Sequence, residues 1–139
     1  MNEGKYVFSQ LVKFLPKRSF DCIVMKFQGD KYIKSFSCWN QLLIMMYGQL
    51  SGSDSLRELI CITTAHAPKS YHLGFGKVLV PRSNLAKANV NRDYRIFEEF
   101  AYKMISIAQE KRITKEFEIK GRIYAFDSTT IDLCLNLFW

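Results

Sequence analysis

Up to about residue 111 the apolar residues of this 139-residue chain recur at the 3.6-residue period of a helix, and from about Phe117 they recur at the two-residue period of a strand. One element cannot satisfy both periods, so the chain divides near residue 115 into a helical part, residues 1–115, and a β part, residues 116–139. In the first part Val7, Leu11 and Phe14 stand at i, i+4, i+7. Phe20, Ile23, Val24 and Phe27 fill the full i, i+3, i+4, i+7 pattern, as do Trp39, Leu42, Leu43 and Met46. Each set is one apolar stripe, and a stripe needs a partner to cover it. The expected fold class is mainly α: short amphipathic helices, then a first β-hairpin.

Punctuation supports this division. Pro16 separates the first two helices, Ser19 and Ser37 can accept from orphan N–H groups as N-caps, and Gly29 and Gly52 stand where helices should stop. Ser53 or Ser55 can open a fourth helix that buries Leu56, Leu59, Ile60 and Thr63. The stretch from Ala65 to Ser83 holds two prolines and two glycines with no sustained period, and reads as a long loop. Its Gly74-Phe75-Gly76 follows no strand and opens no helix, so it is not a phosphate cradle. Ser83 can cap a short helix. A long one follows, with Phe97, Phe100, Ala101, Met104, Ile105 and Ala108 on one stripe and Lys111 and Arg112 opposing the negative end of its dipole.

With 48% hydrophobic residues the chain can bury one core. Cys22, Cys38, Cys61 and Cys134 stand singly, and His66 and His72 lack thiols at zinc-finger spacing, so a structural metal site is not expected. The two histidines also lack a Ser or Cys nucleophile motif. The longest apolar run, Leu42 to Tyr47, is far shorter than the roughly 20 residues that span a bilayer, and the N-terminus has no signal pattern. A cytoplasmic protein with reduced thiols is expected.

The net charge is +7, but residues 1–126 carry +9 because the last thirteen residues hold two acids and no Lys or Arg. A positive body suits a polyanion, through phosphate neutralisation and counterion release. Cations cluster beside the expected helix starts: Lys17 and Arg18, then Lys31 and Lys34, then Arg82 with Asn84 and Lys87, with Arg92 at the end of the same short helix. Helix N-termini with adjacent cations suit backbone phosphates, and Asn can read an adenine edge. For any one lysine a solvated face is the commoner role. A helix from Ser55 to His66 followed by one from Ser83 has the order of a helix-turn-helix, but the connection far exceeds the usual turn. Trp39, Tyr47, Phe97 and Phe100 sit at core spacing rather than as base-stacking platforms.

The β part, FEIKGRIYAFDSTTIDLCLNLFW, reads as two strands joined by a tight connection. Two strands alone are not a stable sheet, so further strands are expected outside this chain. Asp127 closes the first strand. On spacing alone, opening a turn is its commoner role. A carboxylate at a strand tip also suits a divalent cation, which takes oxygen ligands.

Three stretches, GDKYIKSFSCWNQLLIMMYGQLSGSDSLREL, YHLGFGKVLVPRSNLAKANVNRDYRIFEEFA and YAFDSTTIDLCLNLFW, resemble in order the amino-terminal part of bacterial insertion-sequence transposases of the DDE type, in the fourth insertion-sequence family. The resemblance implies a helical N-terminal domain that binds the double-stranded DNA ends of the element, then an RNase H-like catalytic domain with Mg2+ or Mn2+. It makes Asp127 the first of three metal-binding, catalytic carboxylates. The sequence ends at Trp139, before the second Asp and the Glu, so the expectation is a truncated transposase that binds DNA but neither holds the metal stably nor cleaves DNA alone. The alternative is an interaction fragment that associates with itself or with intact transposase.

Overall fold

The computed structural model describes residues 7–75 and 80–111, and all regular structure among them is helical. The order is α1 (Val7–Val12), α2 (Lys17–Lys26), α3 (Cys38–Leu50), α4 (Leu56–Ala65), a 3-10 turn (Ala67–Lys69), α5 (Ser70–Leu73), α6 (Arg82–Asn91) and α7 (Arg95–Lys111). The hairpin expected over residues 116–139, with Asp127, lies outside the described residues.

Two clusters share α3. On one side Leu43 and Ile44 join Phe8 of α1, Leu59 of α4, Leu73 of α5 and Leu85 of α6. On the other, Cys38 joins Phe20 and Val24 of α2 and Ile96 and Phe100 of α7. Trp39 packs against both. Phe20 is fully buried, with ring centroids 5.4 Å from Trp39 and 4.9 Å from Phe100 in edge-to-face geometry.

The helix ends follow local chemistry. Ser37 accepts from the Asn40 N–H at 3.2 Å, and Ser55, not Ser53, accepts from the Glu58 N–H at 3.2 Å, while Glu58 reaches back to the Asp54 N–H at 2.9 Å. After α3, Gly52 takes φ +68° and the N–H groups of Gly52 and Ser53 return to the carbonyls of Gln49 and Gly48, a Schellman closure.

The same closure ends α2 with an unexpected residue. Gln28, at φ +53°, occupies the left-handed position, and the N–H groups of Gln28 and Gly29 return to Met25 and Val24. Gly29 is needed one step later for space. A Cβ there would sit 2.4 Å from Ile96 Cδ1 and 2.8 Å from Cys38 Sγ.

Four local expectations are corrected. Ser19 and Ser83 cap nothing, because α2 and α6 start earlier, directly after Pro16 and Pro81 in the N-cap positions. The stripe of Val7, Leu11 and Phe14 faces out, with Val7 73% exposed. The neighbouring set of Phe8, Val12 and Leu15 has the same spacing and packs inward. The segment read as a loop after Ala65 folds into the 3-10 turn and α5, which Gly74 closes at φ +85°, because Leu73 and Phe75 find cover against α1 and α3. Along α7, Phe97, Phe100 and Met104 reach the core, but Ala101, Ile105 and Ala108 are exposed.

Candidate nucleic-acid interface

Helix α6, RSNLAKANVN, has no acidic residue. It is anchored from behind by Leu85 and Ala88, which enter the core, and it packs against α4. Arg82, Asn84, Lys87 and Asn91 are left on its exposed side. The last three stand at i, i+3 and i+7 and therefore share one face.

That face borders a cleft of about 360 Å³. The opposite wall is the turn after α2, which contributes Tyr32, Lys34 and Ser35 against Asn84, Lys87 and Asn91. The fold thus gathers four of the sequence candidates, Lys34, Asn84, Lys87 and Arg92, on one site, with Arg82 exposed at the start of the same helix. Lys17 and Arg18 are exposed at the start of α2 and do not line the cleft. Lys17 Nζ stands 3.8 Å from Asp21 Oδ2 and 6.0 Å from the Trp39 ring centroid. Asp127 lies outside the described residues.

Arg92 also lines the cleft, but its guanidinium is engaged by the fold. Its side chain is 6% exposed. Nη1 donates to Gln41 Oε1 at 2.7 Å and to the Ser37 carbonyl at 3.2 Å, and Nη2 donates to the Phe36 carbonyl. The guanidinium lies 5.2 Å from the Phe36 ring centroid and 3.8 Å from Asp30 Oδ1. Gln41, itself buried, passes the network on by donating to Asn89 Oδ1 of α6 at 2.6 Å. A cation at a helix end reads as surface in a sequence. Only the tertiary fold shows the carbonyls waiting for it.

Asp30 is engaged in the same joint, where Oδ1 accepts from the Cys38 N–H at 2.6 Å. Burial, then the hydrogen bond with Asp30, pushes the Cys38 thiol up to about 12. Asn91 is the cleft residue that charge alone did not reveal. Its spacing of seven from Asn84 on a helix free of acids was the signal available.

Among the described residues no three His, Cys, Asp or Glu converge to hold a metal ion, and no helix is long and apolar enough to cross a membrane. A family model described as a domain of unknown function, DUF4372, matches residues 3–76. No curated protein and no solved structure matches the chain.

Proposed function

The chain belongs to the DUF4372 family, and from that premise we propose that it is a double-stranded-DNA-binding part of a transposase of the insertion-sequence type, with α6 as the helix that meets the DNA. DUF4372 occurs often in transposase-like proteins, which agrees with the resemblance of the three sequence stretches. The observation that carries the reading is the outer face of α6. Asn84, Lys87 and Asn91 lie side by side there with no carboxylate on the helix, facing Lys34 across the cleft.

The chemistry follows from the residue types. Lys34, Lys87 and Arg82 neutralise phosphates and give affinity without sequence information. Asn84 and Asn91, about 10 Å apart along the helix axis at 1.5 Å per residue, span roughly three base pairs and can each bond an adenine edge bidentately. The packing of α4 behind α6 supplies the scaffold that a groove-entering helix needs. DNA cleavage and strand transfer with Mg2+ or Mn2+ belong to the full-length family resembled, with Asp127 as the residue that would contribute a ligand here.

The test is a fluorescence-anisotropy titration with duplexes taken from the inverted repeats flanking the coding sequence and with shuffled duplexes. Binding to both at low salt, tighter for the repeats, is the expected result. Asn84→Ala should narrow the gap between the two, and Lys87→Gln should weaken both alike. Absence of binding at low salt overturns the proposal.

One observation favours a second reading, association with another copy or with intact transposase. A groove of about 580 Å³ among α3, the end of α6 and the start of α7 is lined in large part by apolar side chains, Leu42, Met45, Met46, Leu50 and Phe97 among them, of which the methionines are adaptable. Sedimentation velocity over a range of concentrations tests it, and a strictly monomeric chain whose co-expression leaves transposition unchanged removes it.

A further inference from the structure

The turn Gln28–Ser35 stands across the cleft from α6 and carries Lys31, Tyr32 and Lys34, all exposed, Tyr32 at 91%. Its backbone is held in an uncommon shape, with Gln28 at φ +53° and Tyr32 at φ +64°, and a bulky residue in the left-handed region persists only where its surroundings impose it. Those surroundings are identifiable. The leading limb is fixed where Gly29 fits against Ile96 and Cys38 and where Asp30 accepts from the Cys38 N–H. The returning limb is fixed where Arg92, the C-cap residue of α6, donates to the carbonyls of Phe36 and Ser37.

The charges divide in a directed way. Asp30, the one acid between Gln28 and Ser37, is tied to the Cys38 N–H and faces Arg92. Lys31 and Lys34 are exposed, with Lys31 Nζ 2.9 Å from Gln28 Oε1 and 5.5 Å from the Tyr32 ring centroid. A rigid cationic knuckle with an exposed phenol is therefore joined to the end of α6 through one guanidinium.

We infer that this turn is a second DNA contact, which grips the sugar-phosphate backbone beside the groove that α6 enters, with Lys31 and Lys34 neutralising phosphates and the Tyr32 hydroxyl donating to a phosphate oxygen. The inference rests on the DNA-binding reading. It assigns the turn to positioning and leaves base readout to α6. Arg92 is a positioning residue that holds both at one spacing.

The experiment measures affinity for a shuffled duplex and for the inverted-repeat duplex over a series of salt concentrations, with the whole chain. Lys31→Gln/Lys34→Gln should flatten the plot of log affinity against log salt by about 1.8, since each phosphate contact contributes about 0.9 to the slope. Between 50 and 200 mM salt that is roughly a twelvefold smaller loss of affinity. The flattening should be equal on both duplexes, so the ratio between them stays constant, and Tyr32→Phe should weaken both alike. Asn84→Ala/Asn91→Ala should do the opposite, lowering the ratio with little change in slope. An unchanged slope in the lysine variant, while the asparagine variant still loses discrimination, overturns this inference and leaves the DNA-binding reading standing. Failure of the unsubstituted chain to bind any duplex overturns both. Circular dichroism confirms that the variants, all at exposed positions, remain folded.

Discussion

Replacing Arg92 by methionine removes every guanidinium donor at the joint between the turn and α6 while keeping most of the side chain's length. The Phe36 carbonyl and Gln41 Oε1 would lose their guanidinium donors, whereas the Ser37 carbonyl retains the Gln41 N–H at 3.0 Å. Each buried acceptor left without a partner costs about 1–3 kcal/mol. One contribution runs the other way, because Arg92 Nε is buried with no acceptor and the substitution removes it. The partial exposure of Asp30 keeps its charge from being stranded in an apolar setting. The net loss is about 2 kcal/mol, below the roughly 3–5 kcal/mol of breaking a fully buried charged pair. For a domain of this size that lowers the Tm by roughly 10 °C. Thermal unfolding followed by circular dichroism at 222 nm measures it. Pairing the change with Gln41→Leu removes the orphaned amide oxygen, so the double substitution should cost less than the sum of the two single ones, by about 1 kcal/mol. An Arg92→Met protein that melts with the unsubstituted chain would show that the network contributes no stability. Strict additivity would show that Arg92 and Gln41 do not act together.

Three further outcomes follow from the packing. Gly29→Ala drives a methyl into Ile96 and Cys38, both fully buried, and should cost about 2–3 kcal/mol by denaturant titration, while Gln28→Gly one residue earlier should be neutral or stabilising by up to about 1 kcal/mol. The Cys38 thiol keeps its proton in the folded state to about 12 against an ordinary 9.0, so its contribution to stability is complete below pH 9 and is lost as pH rises from 9 to 12. Native alkylation at pH 8, read peptide by peptide, should label exposed Cys22 and Cys61 and spare Cys38 until the protein is unfolded. Lys26 and Glu99 pair at 2.6 Å between α2 and α7 but remain largely solvated, so Glu99→Gln should change stability by less than about 1 kcal/mol in the same titration.

The sequence read well wherever a local rule was enough. The stripes of α2 and α4, the caps at Ser37 and Ser55 and the stop at Gly52 all depend on residues within one or two turns, and the structure has them as expected. Reading failed where a distant surface decides. In α1 two interleaved sets share one spacing, and only the position of α3 and α5 selects Phe8 over Val7. Gly29 stands where α2 stops, as its position suggested, but the reason it must be glycine is the closeness of Ile96, far along the chain. Proline in the N-cap position hid the starts of α2 and α6, since neither carries a side-chain acceptor there. Of the candidate interface, its basic residues and Asn84 were legible as a list, but Asn91 was not. That Lys34 meets Asn84 and Lys87 across one cleft, and that Arg92 turns inward, required the fold.

The placement of α3 has a mechanical meaning. Because both apolar clusters lean on one helix, and Trp39 leans on each, neither half retains a complete wall once the other comes apart. Hydrogen exchange along α2 and along α4 should therefore report the same slowest opening, and the cleft formed by the α2 turn and α6 is carried by a frame that fails all at once rather than piece by piece.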